Sequence, residues 1–165
     1  PLPLILVLAL PRPKMLRRII QQVTTLGVKT IYLINAWRVE KSFWNSPVLS
    51  EPSLREQMIL GLEQGADTIL PRIYQRRFFT EFVKGELPDL CQDAVCMTAH
   101  PKADRVCPYG LVQKSVLVVG PEGGFIDREM KTLESAGCVP CHIGPRILKV
   151  ETAVTALISR LYLSA

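Results

Sequence analysis

The chain has 165 residues, of which 48% are hydrophobic, and this size and composition predict one globular domain with a substantial core. No apolar run approaches the roughly 18 residues of a membrane span, and the apolar start lacks the basic segment and cleavage site of a signal peptide. The net charge of +5, in a chain without acidic blocks, suits a polyanionic partner without proving one.

The first half of the chain alternates predicted strands and helices. A continuous apolar strand at the start indicates a sheet that is covered on both faces. Pro13 suits a helix start, Gly27 suits a helix end, and the residues from Ser53 to Glu56 have the form of a capping box. The predicted elements are a strand at 2–10, a helix at 13–26, a strand at 30–34, a loop at 35–50 and a helix from 53 to about 64.

The second half continues the alternation. We expect a short strand at 68–70, a helix at 75–84 and a last helix at 150–163, with strands at 93–98, 116–119 and 139–143 between them. The predicted helix at 75–84 buries Phe78, Phe79, Phe82 and Val83. Strands that alternate with helices predict an α/β fold with a mostly parallel sheet.

Two glycine-rich turns follow predicted strands. Residues 120–124 read GPEGG and lead into a helix that begins at about Asp127, and residues 144–146 read GPR. Glycines let a ligand approach the backbone closely, and amides at a helix start can face it. Glu122 could bind a cationic sulfonium or a ribose hydroxyl, or it could cap the following helix. The spacing matches neither the dinucleotide fingerprint nor the phosphate loop.

The residues GPEGGF, an acidic helix start, and then GPRIL and ETA resemble the signature of a known family. This is the RsmE family of bacterial uridine N3-methyltransferases of small-subunit ribosomal RNA, in the SPOUT class. The resemblance is strong from Val116 to Leu163 and weaker upstream. It implies a single SPOUT methyltransferase domain over residues 1–165, an α/β fold with a mostly parallel sheet and a C-terminal trefoil knot. We expect the chain to be the catalytic domain alone, without the family's N-terminal RNA-binding β-barrel.

The resemblance also implies S-adenosylmethionine as the cofactor, bound where three loops meet. Apolar Ile147 and Leu148 would pack on the adenine ring, and Thr152 would open the final helix. For His100 the alternative is an ordinary loop histidine packed by Pro101. The implied cofactor-binding residues are Thr98, Ala99, His100, Gly120, Pro121, Glu122, Gly123, Gly124, Ile143, Gly144, Ile147, Leu148, Thr152 and Ala153.

The implied reaction is methyl transfer to N3 of a uridine in 16S ribosomal RNA. Uracil N3 must lose its proton, so the site needs a base or a cation that stabilises the resulting anion. Glu122 is the candidate for taking the proton. Arg12, Lys14 and Arg146 are the candidates for stabilising the anion, and the sequence does not choose among them. Of these we take Glu122, Arg146 and Arg12 as the catalytic candidates and keep Lys14 as a candidate for RNA binding.

Basic residues supply the candidates for RNA contact, although a solvated helix face is the ordinary alternative. Lys149 stands where the family usually has arginine, and residues 64–67 lack an arginine that the family commonly has. Two alternatives therefore stay open: a SPOUT enzyme for another RNA position, and a non-catalytic RNA-binding or ribosome-assembly module. The candidate RNA-binding residues are Arg12, Lys14, Arg17, Arg18, Arg146 and Lys149.

The expected partners are ribosomal RNA or the small ribosomal subunit and, by analogy with SPOUT enzymes, a second copy of the chain. The first and last helices would supply the dimer face. The apolar stripe of the last helix is compatible with this face and equally with core packing. It consists of Val154, Leu157, Ile158 and Leu161.

Five cysteines without a secretion signal predict reduced thiols and a cytoplasmic protein. Residues 138–142 read CVPCH, the form of a haem attachment site, and Cys91 and Cys96 are conceivable zinc partners. We expect neither group. The CVPCH segment is strand-like and lies between two glycine turns, and the zinc spacing lacks a second CxxC. The expectation is thus no metal, no haem and no membrane contact.

Overall fold

The computed structural model describes residues 1–163, apart from the side chain of the last of these, and its centre is one parallel sheet. Every strand pair is parallel, and the strand order is β3-β2-β1-β5-β4-β6. The mostly parallel α/β sheet predicted from the sequence is confirmed. The strands are β1 (Leu4–Ala9), β2 (Thr30–Ile34), β3 (Arg72–Arg76), β4 (Val95–Ala99), β5 (Ser115–Val119) and β6 (Val139–Cys141).

Helices cover this sheet. The 3₁₀ turns Lys41–Asn45 and Pro47–Leu49 interrupt the loop after β2, and Ser159–Leu163 extends the last helix as a π-helical turn. A second π-helical turn, Phe82–Glu86, joins α3 to α4. The helices are α1 (Pro13–Thr25), α2 (Glu51–Gly65), α3 (Phe79–Glu81), α4 (Leu87–Cys91), α5 (Asp127–Ser135) and α6 (Val150–Ile158).

The strand order reverses beside β1. Strands β2 and β3 lie on one side of β1, in chain order. Strands β5, β4 and β6 lie on its other side, with β5 next to β1. Both central strands are apolar and almost wholly buried, as expected for a sheet that is covered on both faces. In open parallel sheets, ligands bind outside the carboxyl ends of the strands where the order reverses. The ends of β1 and β5 are therefore the expected position of a ligand site.

Several predicted boundaries differ from the structure. Helix α2 begins at Glu51, because the Ser50 hydroxyl accepts a hydrogen bond from the Ser53 amide, so Ser53 lies inside the helix and does not cap it. The strand expected at 68–70 lies instead at Arg72–Arg76, where it pairs with β2. The Asp67 carboxylate accepts a hydrogen bond from the Ile69 amide and turns the chain before the strand begins.

The helix expected at 75–84 begins only at Phe79 and runs on to Cys91. The prediction that Phe78 is buried is wrong, because its side chain is 69% exposed, whereas Phe82 and Val83 belong to the core.

The apolar stripe of α6 is core, because each of its four residues is at most 1% exposed within the single chain. The stripe is therefore not available as a dimer face. Helix α6 packs on α1, and its end lies against the loop between β4 and β5. The homodimer itself stays a prediction that needs another surface.

The expectation that all thiols are reduced is wrong for two cysteines. Cys91 at the end of α4 and Cys96 in β4 form a disulfide, whereas Cys107, Cys138 and Cys141 are free and buried. Each helix that the structure describes is too short or too polar to cross a bilayer.

Candidate functional site

The carboxyl edge of the sheet brings together the three predicted cofactor loops. They follow β4, β5 and β6, which are neighbours in the sheet and run in the same direction. The amide of His100, just after β4, donates a hydrogen bond of 2.9 Å to the carbonyl of Cys141, at the end of β6. The loops at Ala99, Gly120 and Gly144 thus start from one edge although they lie far apart in the sequence.

The glycine turn after β5 depends on its glycines for two different reasons. Gly124 has a φ of +78°, a left-handed conformation that favours glycine, and its amide donates to the Pro121 carbonyl at 2.8 Å. A Cβ on Gly120 would lie 3.1 Å from the ring of the buried Phe125. The turn is therefore shaped by its backbone and by close packing on Phe125.

Arg12 and Glu122 meet across the point where the strand order reverses. Arg12 follows β1 and Glu122 follows β5. The Arg12 amide donates to Oε1 of Glu122 at 3.3 Å, and the guanidinium Nε lies 3.8 Å from the same oxygen. Their side chains are 66% and 38% exposed. Two of the three catalytic candidates are thus in contact where the strand order reverses, and both are open to solvent.

Arg38 holds the glycine turn and was missed by the sequence reasoning. Its Nη1 donates a hydrogen bond of 2.6 Å to the Gly123 carbonyl, and a Cβ on Gly123 would lie 3.0 Å from Arg38 Cδ. The available signal was its position shortly after a buried strand, at the edge where parallel-sheet ligands bind. Arg38 adds an exposed cation beside Gly123.

Glu129 is a second missed residue. Its buried carboxylate accepts hydrogen bonds from the Ile126 amide at 3.0 Å, at the start of α5, and from the Trp37 amide at 2.8 Å. Glu129 therefore caps the start of α5, the role that the sequence also allowed for Glu122. It also fastens the loop after β2 to the helix that follows the glycine turn.

The second glycine loop, residues 143–149, faces solvent. Gly144 has a φ of +130°, and its amide donates to Nδ1 of His142 at 3.0 Å. Ile147 is 83% exposed, so its apolar side chain is open to solvent. Lys149 is the N-cap of α6, so the expectation that Thr152 opens the helix is wrong by two positions.

The remaining cofactor candidates differ in accessibility. Thr98 is fully buried, and no described polar atom hydrogen-bonds its hydroxyl. His100 is half-buried, and its Nδ1 accepts a hydrogen bond from the Lys102 amide at 3.2 Å. Ala99 and Ala153 are half-buried, and Thr152 is exposed. His100 thus contacts its own loop through this hydrogen bond.

The candidate RNA-binding cations lie on two segments. Four of them lie just before or within the first turns of α1, and the other two lie in the loop after Gly144. All six are exposed. The contacts found among residues 1–163 do not join Arg146 to the Arg12–Glu122 pair. The six residues are Arg12, Lys14, Arg17, Arg18, Arg146 and Lys149.

The CVPCH segment lies in the sheet. Cys138 and Cys141 are 1% and 2% exposed, which is incompatible with the exposed segment that haem attachment requires. Burial raises the pKa of the Cys138 thiol to about 11, and a hydrogen bond with Cys141 lowers the pKa of Cys107. The sulfurs of Cys91, Cys96 and Cys138, three of the cysteines weighed as zinc partners, lie within 4.8 Å of one another. Two of these sulfurs are bonded to each other and cannot ligate a metal in this state.

A model of the RNA methyltransferase domain matches residues 1–162. The chain belongs to this family. The resemblance inferred from the glycine turns is therefore confirmed. Ribosomal RNA small subunit methyltransferase E 1 of Borreliella burgdorferi is 26% identical over 145 residues, which are 88% of this chain and 60% of that protein. The methyltransferase E of Treponema pallidum is 28% identical over 158 residues, which are 93% of this chain and 59% of that protein.

This member of the family thus spans about three fifths of the length of those relatives. Its fold is that of a methyltransferase E from Neisseria gonorrhoeae solved with bound S-adenosyl methionine. The two superpose with a TM-score of 0.76 at 22% identity, covering 96% of this chain and 65% of that one. This similarity confirms the α/β fold with a parallel sheet that the glycine-loop signature implied, whereas the C-terminal trefoil knot stays a prediction.

Proposed function

We propose that this chain transfers a methyl group from S-adenosylmethionine to N3 of a uridine in small-subunit ribosomal RNA. The observation that carries the proposal is the family match over residues 1–162. It is supported by relatives named as ribosomal RNA small subunit methyltransferases. The partner is ribosomal RNA or the small subunit, and the protein acts as a homodimer in the cytoplasm.

The glycine loops fit the proposed cofactor. A Cβ on Gly124 or on Gly144 would meet no described atom within 4 Å, so both backbones face open space in which a ligand can approach them. Exposed Ile147 offers an apolar surface for the adenine ring. The proposed contacts also include Ala99, His100, Pro121, Ile143, Leu148, Thr152 and Ala153, with Thr98 acting from within the sheet.

Bound in these loops, S-adenosylmethionine supplies a methyl group that its sulfonium activates. The task of the chain is to align the uracil, exclude water and manage the N3 proton. The exposed guanidinium of Arg12 stabilises the negative charge of the deprotonated uracil. Glu122 orients Arg12 by accepting its amide hydrogen bond and is our candidate acceptor of the N3 proton. Arg146 and Lys149 contact RNA phosphate.

The end of the last helix supports the proposed knot. The amides of Gly110 and Leu111 donate to the carbonyls of Arg160 and Leu161 at 3.2 and 2.6 Å. Nε of Arg160 donates to the Cys107 carbonyl at 2.7 Å. The helix end is thus bonded to the loop between β4 and β5, through which the chain of a trefoil-knotted methyltransferase would pass.

Calorimetric titration of S-adenosylmethionine into wild type and Gly123→Val tests the proposal. The wild type should bind stoichiometrically. The valine side chain would start 3.0 Å from Arg38 Cδ and displace the side chain that holds the turn, so binding should be lost. Gly85→Ala is the matched control, because nothing lies within 4 Å of its Cβ position and binding should be unchanged.

A transfer assay with unmodified small-subunit ribosomal RNA adds the chemical step. Glu122→Gln keeps an acceptor for the Arg12 amide but cannot take a proton. Its turnover should fall by about a hundredfold while cofactor affinity is retained. A wild type that does not bind the cofactor would overturn the proposal. Full activity of Glu122→Gln would remove Glu122 as the base and leave the methyltransferase proposal standing.

A further inference from the structure

Two aromatic rings are exposed at the carboxyl edge of the sheet. Trp37 is 73% exposed and Phe78 is 69% exposed, whereas the chain's other tryptophan, Trp44, is 7% exposed. Large apolar rings in open water lose the free energy that burial would give, so exposed aromatic surface commonly marks a binding site. Neither ring takes part in the cofactor contacts or in the proton transfer proposed above.

Trp37 is held beside the glycine turn from two sides. Its amide donates to Glu129 at 2.8 Å, and the next residue, Arg38, donates to the Gly123 carbonyl at 2.6 Å. The backbone that carries the indole is therefore fastened to the proposed cofactor turn, while the ring itself projects into solvent.

Phe78 lies on the neighbouring strand end. It follows β3, and the amide of Asn35, two residues before Trp37, donates to the Arg76 carbonyl, two residues before Phe78. The ring of the next residue, Phe79, lies 6.0 Å from the ring of Phe125, on which Gly120 packs. Trp37 thus adjoins Arg38, which contacts the glycine turn, and Phe78 adjoins Phe79, whose ring lies near Phe125 just after the turn.

Exposed arginines accompany the rings. Arg12 and Arg38 contact the glycine turn, and Arg77 precedes Phe78. Aromatic faces that stack on bases, combined with cations that attract phosphates, are the features with which proteins bind single-stranded nucleic acid. This charge favours an RNA strand over an apolar protein surface as the occupant.

We propose that Trp37 and Phe78 form a stacking platform for bases of single-stranded RNA beside the glycine turn. The inference deepens the proposed function and rests on it, since the platform would hold the unstacked substrate strand next to the methyl donor. A base must leave its stacked arrangement before an enzyme can reach N3, and an aromatic surface replaces the lost stacking. The platform is a binding device, and neither ring takes part in the proton transfer.

Fluorescence titration with a single-stranded oligouridylate of about ten nucleotides tests the proposal. Trp37 is exposed and Trp44 is buried with its indole nitrogen bonded to Asn35, so quenching by a stacked base should come from Trp37. Wild type should be quenched on binding, and Trp37→Phe should bind without that quenching.

Affinity measurements separate stacking from charge. Trp37→Ala and Phe78→Ala should each bind the oligonucleotide about tenfold more weakly, whereas the salt dependence of binding should keep its slope because neither ring carries charge. Tyr109→Ala is the control, since Tyr109 is also exposed but lies in the loop that contacts the end of α6. Its affinity should match the wild type. Thermal melts of all variants should coincide, because each changed ring is exposed.

Two results would overturn the platform. One is wild-type affinity in both Trp37→Ala and Phe78→Ala, and the other is oligonucleotide binding without quenching of Trp37. Calorimetric titration of S-adenosylmethionine into the same variants keeps the two proposals separate. If both variants bind the cofactor and also bind the oligonucleotide with wild-type affinity, only the platform proposal is refuted. If the oligonucleotide quenches Trp37 and the variants bind it more weakly, but the protein binds no cofactor, only the methyltransferase proposal is refuted.

Discussion

Arg38 holds the glycine turn, and Glu129 fastens the helix that follows it. Arg38 lies outside the family signature, and Glu129 enters it only as part of the acidic helix start. Arg38 bonds to a backbone carbonyl of the turn, and Glu129 bonds to two amides that lie 92 and 3 residues away in the sequence. A charged residue in a helical or loop segment predicts solvent exposure, and only packing shows that Glu129 is 5% exposed. The glycines themselves were predictable because their spacing forms the family signature.

Replacing Glu129 by alanine should destabilise the protein measurably. The change leaves the amides of Ile126 and Trp37 without their partner, at a cost of about 2 kcal/mol in the free energy of unfolding. For a chain of this size, Tm should fall by roughly 4–8 °C in a thermal melt. Glu134→Ala, on the exposed face of the same helix, is the control and should change Tm little. Equal melting of the two variants would contradict the role given to Glu129.

At the scale of elements, apolar runs and caps predicted most strands to within two or three residues. Strands β1, β2 and β5 are buried, and their continuous apolar sequences made them visible. Strand β3 was missed because its sequence, RIYQR, is polar and only partly buried. Its pairing with β2 decides its structure, and pairing partners cannot be deduced from a local pattern.

Two helical glycines should respond in opposite directions to alanine. A Cβ on Gly61 in α2 would lie 2.6 Å from the Gln21 carbonyl and 2.7 Å from Thr24 Cβ in α1, so the two helices must move apart. We expect Gly61→Ala to lower the free energy of unfolding by about 1–2 kcal/mol despite the better helix propensity of alanine.

Gly85→Ala is the matched comparison, because no described atom lies within 4 Å of its Cβ position. This helical residue should gain about 0.5–1 kcal/mol from the reduced backbone entropy of the unfolded chain. Urea unfolding of both variants measures the two effects. If both variants were stabilised, the close contact of α1 with α2 would be refuted.

At the scale of the whole molecule, long-range ion pairs give stability that depends on pH. A hydrogen bond from Lys29 lowers the pKa of Asp67 to about 2, and a hydrogen bond from Arg76 lowers the pKa of Glu86. Both carboxylates have lower pKa values in the folded state than in the unfolded chain. Both ion pairs therefore stabilise the folded protein above the pKa values of the unfolded chain, which are about 4, and this contribution is lost as the pH falls.

We expect Tm to decrease as the pH is lowered from about 4 to about 2, the range that the pKa of Asp67 defines. In Asp67→Asn the part of this decrease that comes from Asp67 should disappear, because the amide does not titrate. Asp104→Asn, at an exposed position, is the control and should show the wild-type profile. A wild-type profile in Asp67→Asn would show that the Lys29 pair does not contribute to acid stability.

The sequence by itself determined the α/β class, the two glycine turns and the family, because each is encoded in contiguous residues. Apolar runs report burial, and glycine spacing reports backbone shape. Only the tertiary structure decided which residues meet across the sheet: Arg12 with Glu122, Arg38 with Gly123, Glu129 with Trp37, and Cys91 with Cys96. Three of these four contacts join residues more than 80 positions apart, and strand order, which no local pattern specifies, brings them to one edge. The same packing buried the stripe of α6 and left Trp37 and Phe78 in solvent.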